Sequence, residues 1–382
     1  VLRAGVGIAT LPEPERAAEA AAAQALAGAG RCDAAILWTG PGFGEALPSL
    51  LDTAVGALGS RAVVGATAHG ILAPDREQLA EAAVLVLAIS GLEAQPFLIP
   101  ELAGREAAAG EEIEARLGGE ARPEDLIVLF PDPRSLDAAA LLREVGRAAG
   151  EAQVVGAGSA DPISGNPLQW SGREIATGGL AGIALRGSRP ARIGITQACR
   201  PATGPMTVTR CQGHWVLELD GQPALEVYRK VARGPLAEDL RRAAAFLLVA
   251  LPASGEARDL GPGSYLVRHV IGFEERANAF AIPEAPRVGQ LLALAEREPE
   301  AARADLKAML EGLRGAQPAL GLYLDCCARA APFFVPGLEA AYLARAFEGV
   351  PIAGMLGSCE IGPIGGSPQL LTYTGVLALL EG

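Results

Sequence analysis

Short, nearly continuous apolar runs alternate along this chain with stretches of amphipathic, helical spacing. The alternation recurs three times on one plan of strand, loop, helix, strand, loop, strand. The first copy opens with residues 34–38 (AAILW), passes a helix predicted over about 44–58 and returns as 62–70 (AVVGATAHG). The second opens with 126–130 (LIVLF), has its helix over about 135–149 and returns as 153–161 (QVVGAGSAD). The third opens with 319–325 (ALGLYLD), has its helix over about 336–347 and returns as 350–360 (VPIAGMLGSCE). Each copy closes on a further apolar run, at 82–89, 177–185 and 374–380.

Spacing supports equivalence. Ile36 and Gly65 are 29 residues apart, as are Ile127 and Gly156, and Leu322 and Gly354 are 32 apart. The expected fold class is therefore α/β, built of repeated β-α-β-β units, two in the N-terminal half and one in the C-terminal half, with helix-covered mixed sheets. In such folds the loops at the carboxyl ends of parallel strands gather into one crevice, and helix N-termini favour anions there. Aligned on their opening strands, the units place Gly42, Arg134 and Arg329 in corresponding loops. Aligned on the return-strand glycines, they place His69, Asp161 and Glu360 together.

Between 187 and 230 the pattern reads as strands with turns, and Asp220-Gly221 is a turn signal. A helix is predicted around 236–251, a strand pair over SYLVRHVIGF and ANAFAI, and a helix over 289–313 broken near Pro299. The division expected from the whole pattern is one domain over 1–214 and a second over 215–382.

Composition narrows the chemistry. Half of the 382 residues are hydrophobic, and 44 Asp and Glu against 32 Lys and Arg give a net charge of −12, a poor match to the phosphate backbone of a nucleic acid. The longest uncharged run, 361–380, is broken by Gly, Pro, Ser, Gln and Thr, so no membrane insertion is expected. No secretory signal pattern opens the sequence, and its six scattered cysteines suit a reducing cytoplasm better than a disulfide framework. Cys199, Cys211 and His214 match no standard zinc spacing, so no metal is expected. Walker, G-x-S-x-G, H-E-x-x-H and dinucleotide patterns are incomplete or missing. Binding rather than turnover is expected.

Several stretches resemble the FIST family of bacterial sensory modules, which pair a FIST N-terminal with a FIST C-terminal domain. The Val-Val-Gly return strands at 63–65 and 154–156, TQACRP at 196–201 and LDGQPALEVY at 219–228 carry the N-terminal half and the junction. Cys326, Cys327, Ala328 and Arg329 resemble the family's Cys-x-Gly-Arg segment, and residues 352–363 with Gly365 and Gly366 resemble its apolar-Gly…Glu-Ile-x-Pro loop. Ala328, Ala330 and Cys359 stand where the family usually has glycine. The resemblance implies a small-ligand sensor, with amino acids as ligands, that signals to a separate protein such as a kinase or chemoreceptor. It also implies haem-binding nitric oxide sensing as an alternative.

The candidate ligand-binding residues follow. Arg329 can hold a carboxylate bidentately and Glu360 can accept from an ammonium, an arrangement suited to an amino acid; the competing reading is a salt bridge between neighbouring loops. Cys326, at a strand end, is a candidate reactive thiol or a packed one. His69, Arg134 and Asp161 belong to the corresponding loops, and Gly65, Gly156 and Gly354 line them. A haem would need His69, His214 or His269 as axial ligand. A Cys326, Glu360 and His69 set would serve a thiol-dependent hydrolase or transferase.

Overall fold

A computed structural model describes residues 1–382 other than 75, 80, 119, 120, 136, 188, 234, 254–259, 262 and 332. The fold is mixed α/β. In each of the three stretches the opening and return strands pair in parallel: Ala34–Thr39 with Val63–Thr67, Leu126–Pro131 with Gln153–Ala157, and Pro318–Cys326 with Ile352–Gly357. The closing strands Val84–Ser90, Leu180–Arg186 and Thr374–Glu381 lie antiparallel to the opening strands.

Each sheet also has a strand that precedes the predicted plan. Arg3–Ala9, Glu93–Ile99 and Arg192–Gln197 flank the three closing strands. The helices Pro14–Ala29, Glu106–Leu117 and Pro299–Gly312 likewise come before the opening strands. The helices predicted inside the units are Leu47–Leu58, Ala138–Ala149 and Leu338–Ala346.

The sheets are tied together in a ring. The hairpin Gly70–Ala73/Arg76–Leu79 of the first unit extends the sheet of the third, pairing Leu72 with Gly354. The hairpin Leu168–Ser171/Glu174–Thr177 of the second extends the first, pairing Trp170 with Gly65. The hairpin Glu360–Ile364/Ser367–Leu371 of the third extends the second, pairing Ile361 with Gly156. One apolar core holds Ile36, Trp38, Val128, Phe130, Leu322 and Leu324 from all three sheets. Outward-facing neighbours such as Leu37, Leu129 and Tyr323 pack instead in separate clusters with the helices. Strands buried on both faces explain why the opening runs are continuously apolar.

A nine-stranded sheet between 199 and 297 interrupts the third unit, separating its first strand, Arg192–Gln197, from its first helix. Two helical predictions fall here and are corrected. Residues 236–251 form two short helices and then the strand Leu247–Pro252, and 289–297 contain the strand Leu291–Arg297, with helix only after Pro299. Leu and Ala favour helix, but these two strands pair with each other inside the sheet, and tertiary pairing overrides the local preference. The expected division at 214/215 falls in the turn between the paired strands Met206–Gln212 and Trp215–Leu219. No helix among the described residues is long and apolar enough to cross a membrane.

Candidate functional site

The loops that follow the return strands do converge, but as a closed ring. His69 N–H donates to Leu356 O (3.0 Å), Ser358 N–H to Gly158 O (3.0 Å), and Ala160 N–H to Thr67 O (2.9 Å). His69, Ala160 and Ser358 each stand four residues past the return-strand glycine of their unit, so one bond repeats three times around a shared axis. The crevice expected between the mouths is taken up by this backbone ring.

The glycines are packing positions rather than ligand contacts. Gly65, Gly156 and Gly354 face Leu37, Leu129 and Tyr323 across the parallel pairs. A Cβ on them would stand 1.6, 2.4 and 1.7 Å from those residues' carbonyl oxygens.

The third unit buries a guanidinium and three carboxyls at its mouth, whereas the second buries there Asp132, paired with the more exposed Arg134. By strand register, Thr39 and Pro131 correspond to Asp325, and Ile71 and Gln169 to Glu360. Arg329 is wholly buried, with its Nε 2.9 Å from Asp325 Oδ1 and its Nη2 2.5 Å from Glu339 Oε1. The Asp325 contact is an ion contact without hydrogen-bond alignment. Tyr323 Oη donates to the same Glu339 oxygen at 2.8 Å. Glu360 Oε2 accepts from Thr374 Oγ1 at 2.6 Å.

The proposed grip of Arg329 and Glu360 on a ligand is therefore corrected in its geometry. The guanidinium already holds two carboxylates, and neither Arg329 nor Glu360 reaches solvent. Burial pushes Asp325 well above its ordinary range, reinforced by neighbouring Glu339. Burial, then Cys326, does the same to Glu360 against the bonds from Thr374. Burial also opposes the charge of Glu339, but the Arg329 guanidinium and hydrogen bonds outweigh it and hold its carboxyl below the ordinary range. Of these three acids, Glu339 is the one whose charge its surroundings favour.

The other candidates have local duties. Arg134 bonds Asp132 (2.9 Å), Gly165 O and Asn166, and Asp161 accepts from Ile163 N–H, Ser164 N–H and the Ser164 hydroxyl; together they shape the 161–166 loop. Cys326 is buried, and hydrogen bonding to Cys327 together with burial pushes its thiol well up. His69 is half-buried, and burial holds its imidazole below the ordinary value. Among the described residues, it forms no hydrogen bond with Cys326 or Glu360.

The hollow lies beside the ring. A cleft of about 1560 Å³ opens between the helix Ala138–Ala149, the third unit's hairpin and the interrupting sheet. Its walls include Leu142, Leu266, Leu370 and Ser358, with Asp137, Arg143, Glu151, Arg268 and Glu284 as its charged groups and His214 and His269 as its imidazoles. Arg268 is 6% exposed, with its Nε on Glu284 and its Nη1 on Val267 O at 2.8 Å. His214 Nδ1 donates to Ile282 O at 3.2 Å, and His269 Nδ1 stands 3.1 Å from Tyr373 Oη. Burial, then the neighbouring Arg268, holds His269 below its ordinary value. Sequence reasoning passed over Arg268 and Glu284, which no motif marks and which only the interrupting sheet brings to the cleft. Among the described residues, no three His, Cys, Asp or Glu side chains are placed to hold a metal ion.

Two proteins named only as uncharacterized are similar over almost their whole length. One, from Mycobacterium tuberculosis (strain H37Rv), is 29% identical over 99% of both chains; the other, from Mycobacterium bovis, is 28% identical over 99% of this chain and 98% of its own. A crystal structure of cyanuric acid hydrolase from A. caulinodans superposes with a TM-score of 0.28 at 12% identity, covering 49% of this chain and 72% of that one. The FIST N domain model matches residues 34–222 and the FIST C domain model residues 224–363. With both halves matched in order, the chain belongs to the FIST family, whose domains are sensory modules.

Proposed function

We propose that this chain is a cytoplasmic sensor of a small carboxylate-bearing ligand, amino acids included. The ligand binds without turnover in the cleft beside the ring, and a separate signalling protein such as a kinase or chemoreceptor reads the occupancy. One observation carries the reading. The cleft's walls come from both matched domains, and an Arg268–Glu284 pair stands in it. A ligand carboxylate suits the guanidinium, and an ammonium suits Glu284, which is 45% exposed. A cleft of about 1560 Å³ exceeds the roughly 300–1,000 Å³ of ordinary ligand pockets, so the side group of such a ligand has room. Six free cysteines support a reducing compartment. A thermal-shift screen of amino acids and related carboxylates tests it: a ligand at 100 times its Kd adds about 2.7 kcal/mol. A screen without a shift, or a shift kept in full by Arg268→Gln, removes the reading.

A second reading, haem, is favoured by His214 and His269 standing in one cleft. The Nδ1 bond of His214 to a carbonyl leaves Nε2 as the nitrogen available to an iron, and Leu142, Leu266 and Leu370 supply apolar wall. Haem bound there would supply the gas-binding iron. A Soret band lost in His214→Ala or His269→Ala but kept in His69→Ala supports it, and no band on haem addition removes it.

A further inference from the structure

Two histidines line the cleft, and their Nδ1 atoms face opposite kinds of partner. His214 Nδ1 faces Ile282 O, which can only accept, so a neutral His214 carries its proton on Nδ1 and presents Nε2 as an acceptor. His269 Nδ1 stands 3.1 Å from Tyr373 Oη, a hydroxyl that can donate. The two rings also meet edge to face, with centroids 5.6 Å apart and planes at 83°.

Tyr373 is held there under strain. Its φ of 60° is a left-handed conformation that bulky side chains rarely adopt. Bonds on every side pin the turn: Thr372 Oγ1 donates to Val267 O at 2.7 Å, Ala198 N–H to Tyr373 O at 2.8 Å, and Thr374 Oγ1 to Glu360 Oε2 at 2.6 Å. The Arg297 guanidinium lies 5.6 Å from the centre of the ring. A strained residue persists only where its surroundings over-determine it, and here they aim one phenol at one imidazole.

We propose that His269 is a further ligand-binding residue of the cleft, a neutral hydrogen-bond donor through Nε2–H, and that Tyr373 is the positioning residue that fixes this tautomer. The inference rests on the cleft as the ligand site. Two arguments set the direction of the bond. Of the pair, the phenol is the stronger acid and the imidazole nitrogen the stronger base, so the hydroxyl donates and Nδ1 accepts. The Tyr373 hydroxyl also has no other hydrogen-bond partner among the described residues, and a bond in the opposite sense would leave its proton without an acceptor in the chain. With Nδ1 accepting, the ring proton sits on Nε2, at the far edge of the ring. The group it takes is an acceptor oxygen. Arg268, the preceding residue, lines the same cleft, and a carboxylate suits both donors, whereas an ammonium is refused at Nε2–H.

The test is a long-range proton–nitrogen correlation spectrum of the histidine rings in the ligand-free full chain, which tells the two tautomers apart. The chain has 3 histidines, so each ring is assigned by its own substitution. His269 is expected in the Nε2–H form and His214 in the Nδ1–H form. Tyr373→Phe is expected to move His269 to a mixture of the two, with unchanged His214 signals and melting profile as the folding controls. A wild-type His269 in the Nδ1–H form overturns the proposal, and so does a folded Tyr373→Phe chain that keeps the His269 tautomer. Sodium acetate is then titrated as the carboxylate probe. Movement of the His269 ring nitrogens together with Arg268 Nε supports the proposal. Movement of Arg268 Nε alone overturns it and leaves the cleft reading in place, and movement of neither removes both.

Discussion

Arg329 Nη2 meets Glu339 Oε1 at 2.5 Å with both side chains buried, and this pair ties the turn after the opening strand of the third unit to its helix. Removing one partner leaves an unbalanced buried charge. Arg329→Met is therefore expected to cost about 3–5 kcal/mol, read as a lowered urea midpoint. A loss below about 1 kcal/mol, the range of a surface pair, would mean that the pair is open to water.

Glu360 supplies a pH signature. Its carboxyl is held well above the ordinary 4.5, so the folded chain keeps a proton that the unfolded chain releases. The stability it contributes is full below about pH 4.5 and is lost as pH rises towards the raised native value. Glu360→Gln removes that loss. The variant should match the wild type near pH 4 and gain on it by up to about 1.4 kcal/mol per pH unit above that. Melting temperatures across pH 4–8 that stay parallel would contradict it.

The return-strand glycines predict a contrast. Gly65→Ala and Gly354→Ala drive a Cβ into Leu37 O and Tyr323 O, and should cost several kcal/mol or prevent folding. Gly56→Ala, on a helix with nothing within 4 Å of the new Cβ, should stabilise by up to about 1 kcal/mol. Denaturation midpoints decide the matter, and a tolerated Gly354→Ala would return these positions to the list of ligand contacts.

The buried frame of the fold was legible because both faces of each opening strand are covered, which makes 34–38, 126–131 and 318–324 continuous runs without a polar side chain. The strand and helix before each unit were less so. Pro14–Ala29 is largely alanine, which marks no face, and Arg3–Ala9 is covered only at alternate positions. Arg329 and Glu360 stood out as charges among apolar residues, and the structure brings both to one mouth. What the sequence did not reveal was that Glu339, ten residues on and in the first turn of a helix, answers Arg329 from inside. The cleft had no local signal at all, since helix Ala138–Ala149, Arg268, Glu284 and the 358–372 segment meet only through the exchanged hairpin and the interrupting sheet.

The central claim is that ligand recognition belongs to the cleft at Arg268. Titration calorimetry of the tightest-binding carboxylate against wild type, Arg268→Gln and the distant surface variant Arg16→Gln measures it directly. The account predicts that Arg268→Gln weakens binding at least about tenfold, or 1.4 kcal/mol, while Arg16→Gln matches the wild type. Equal affinity in all three proteins would contradict it.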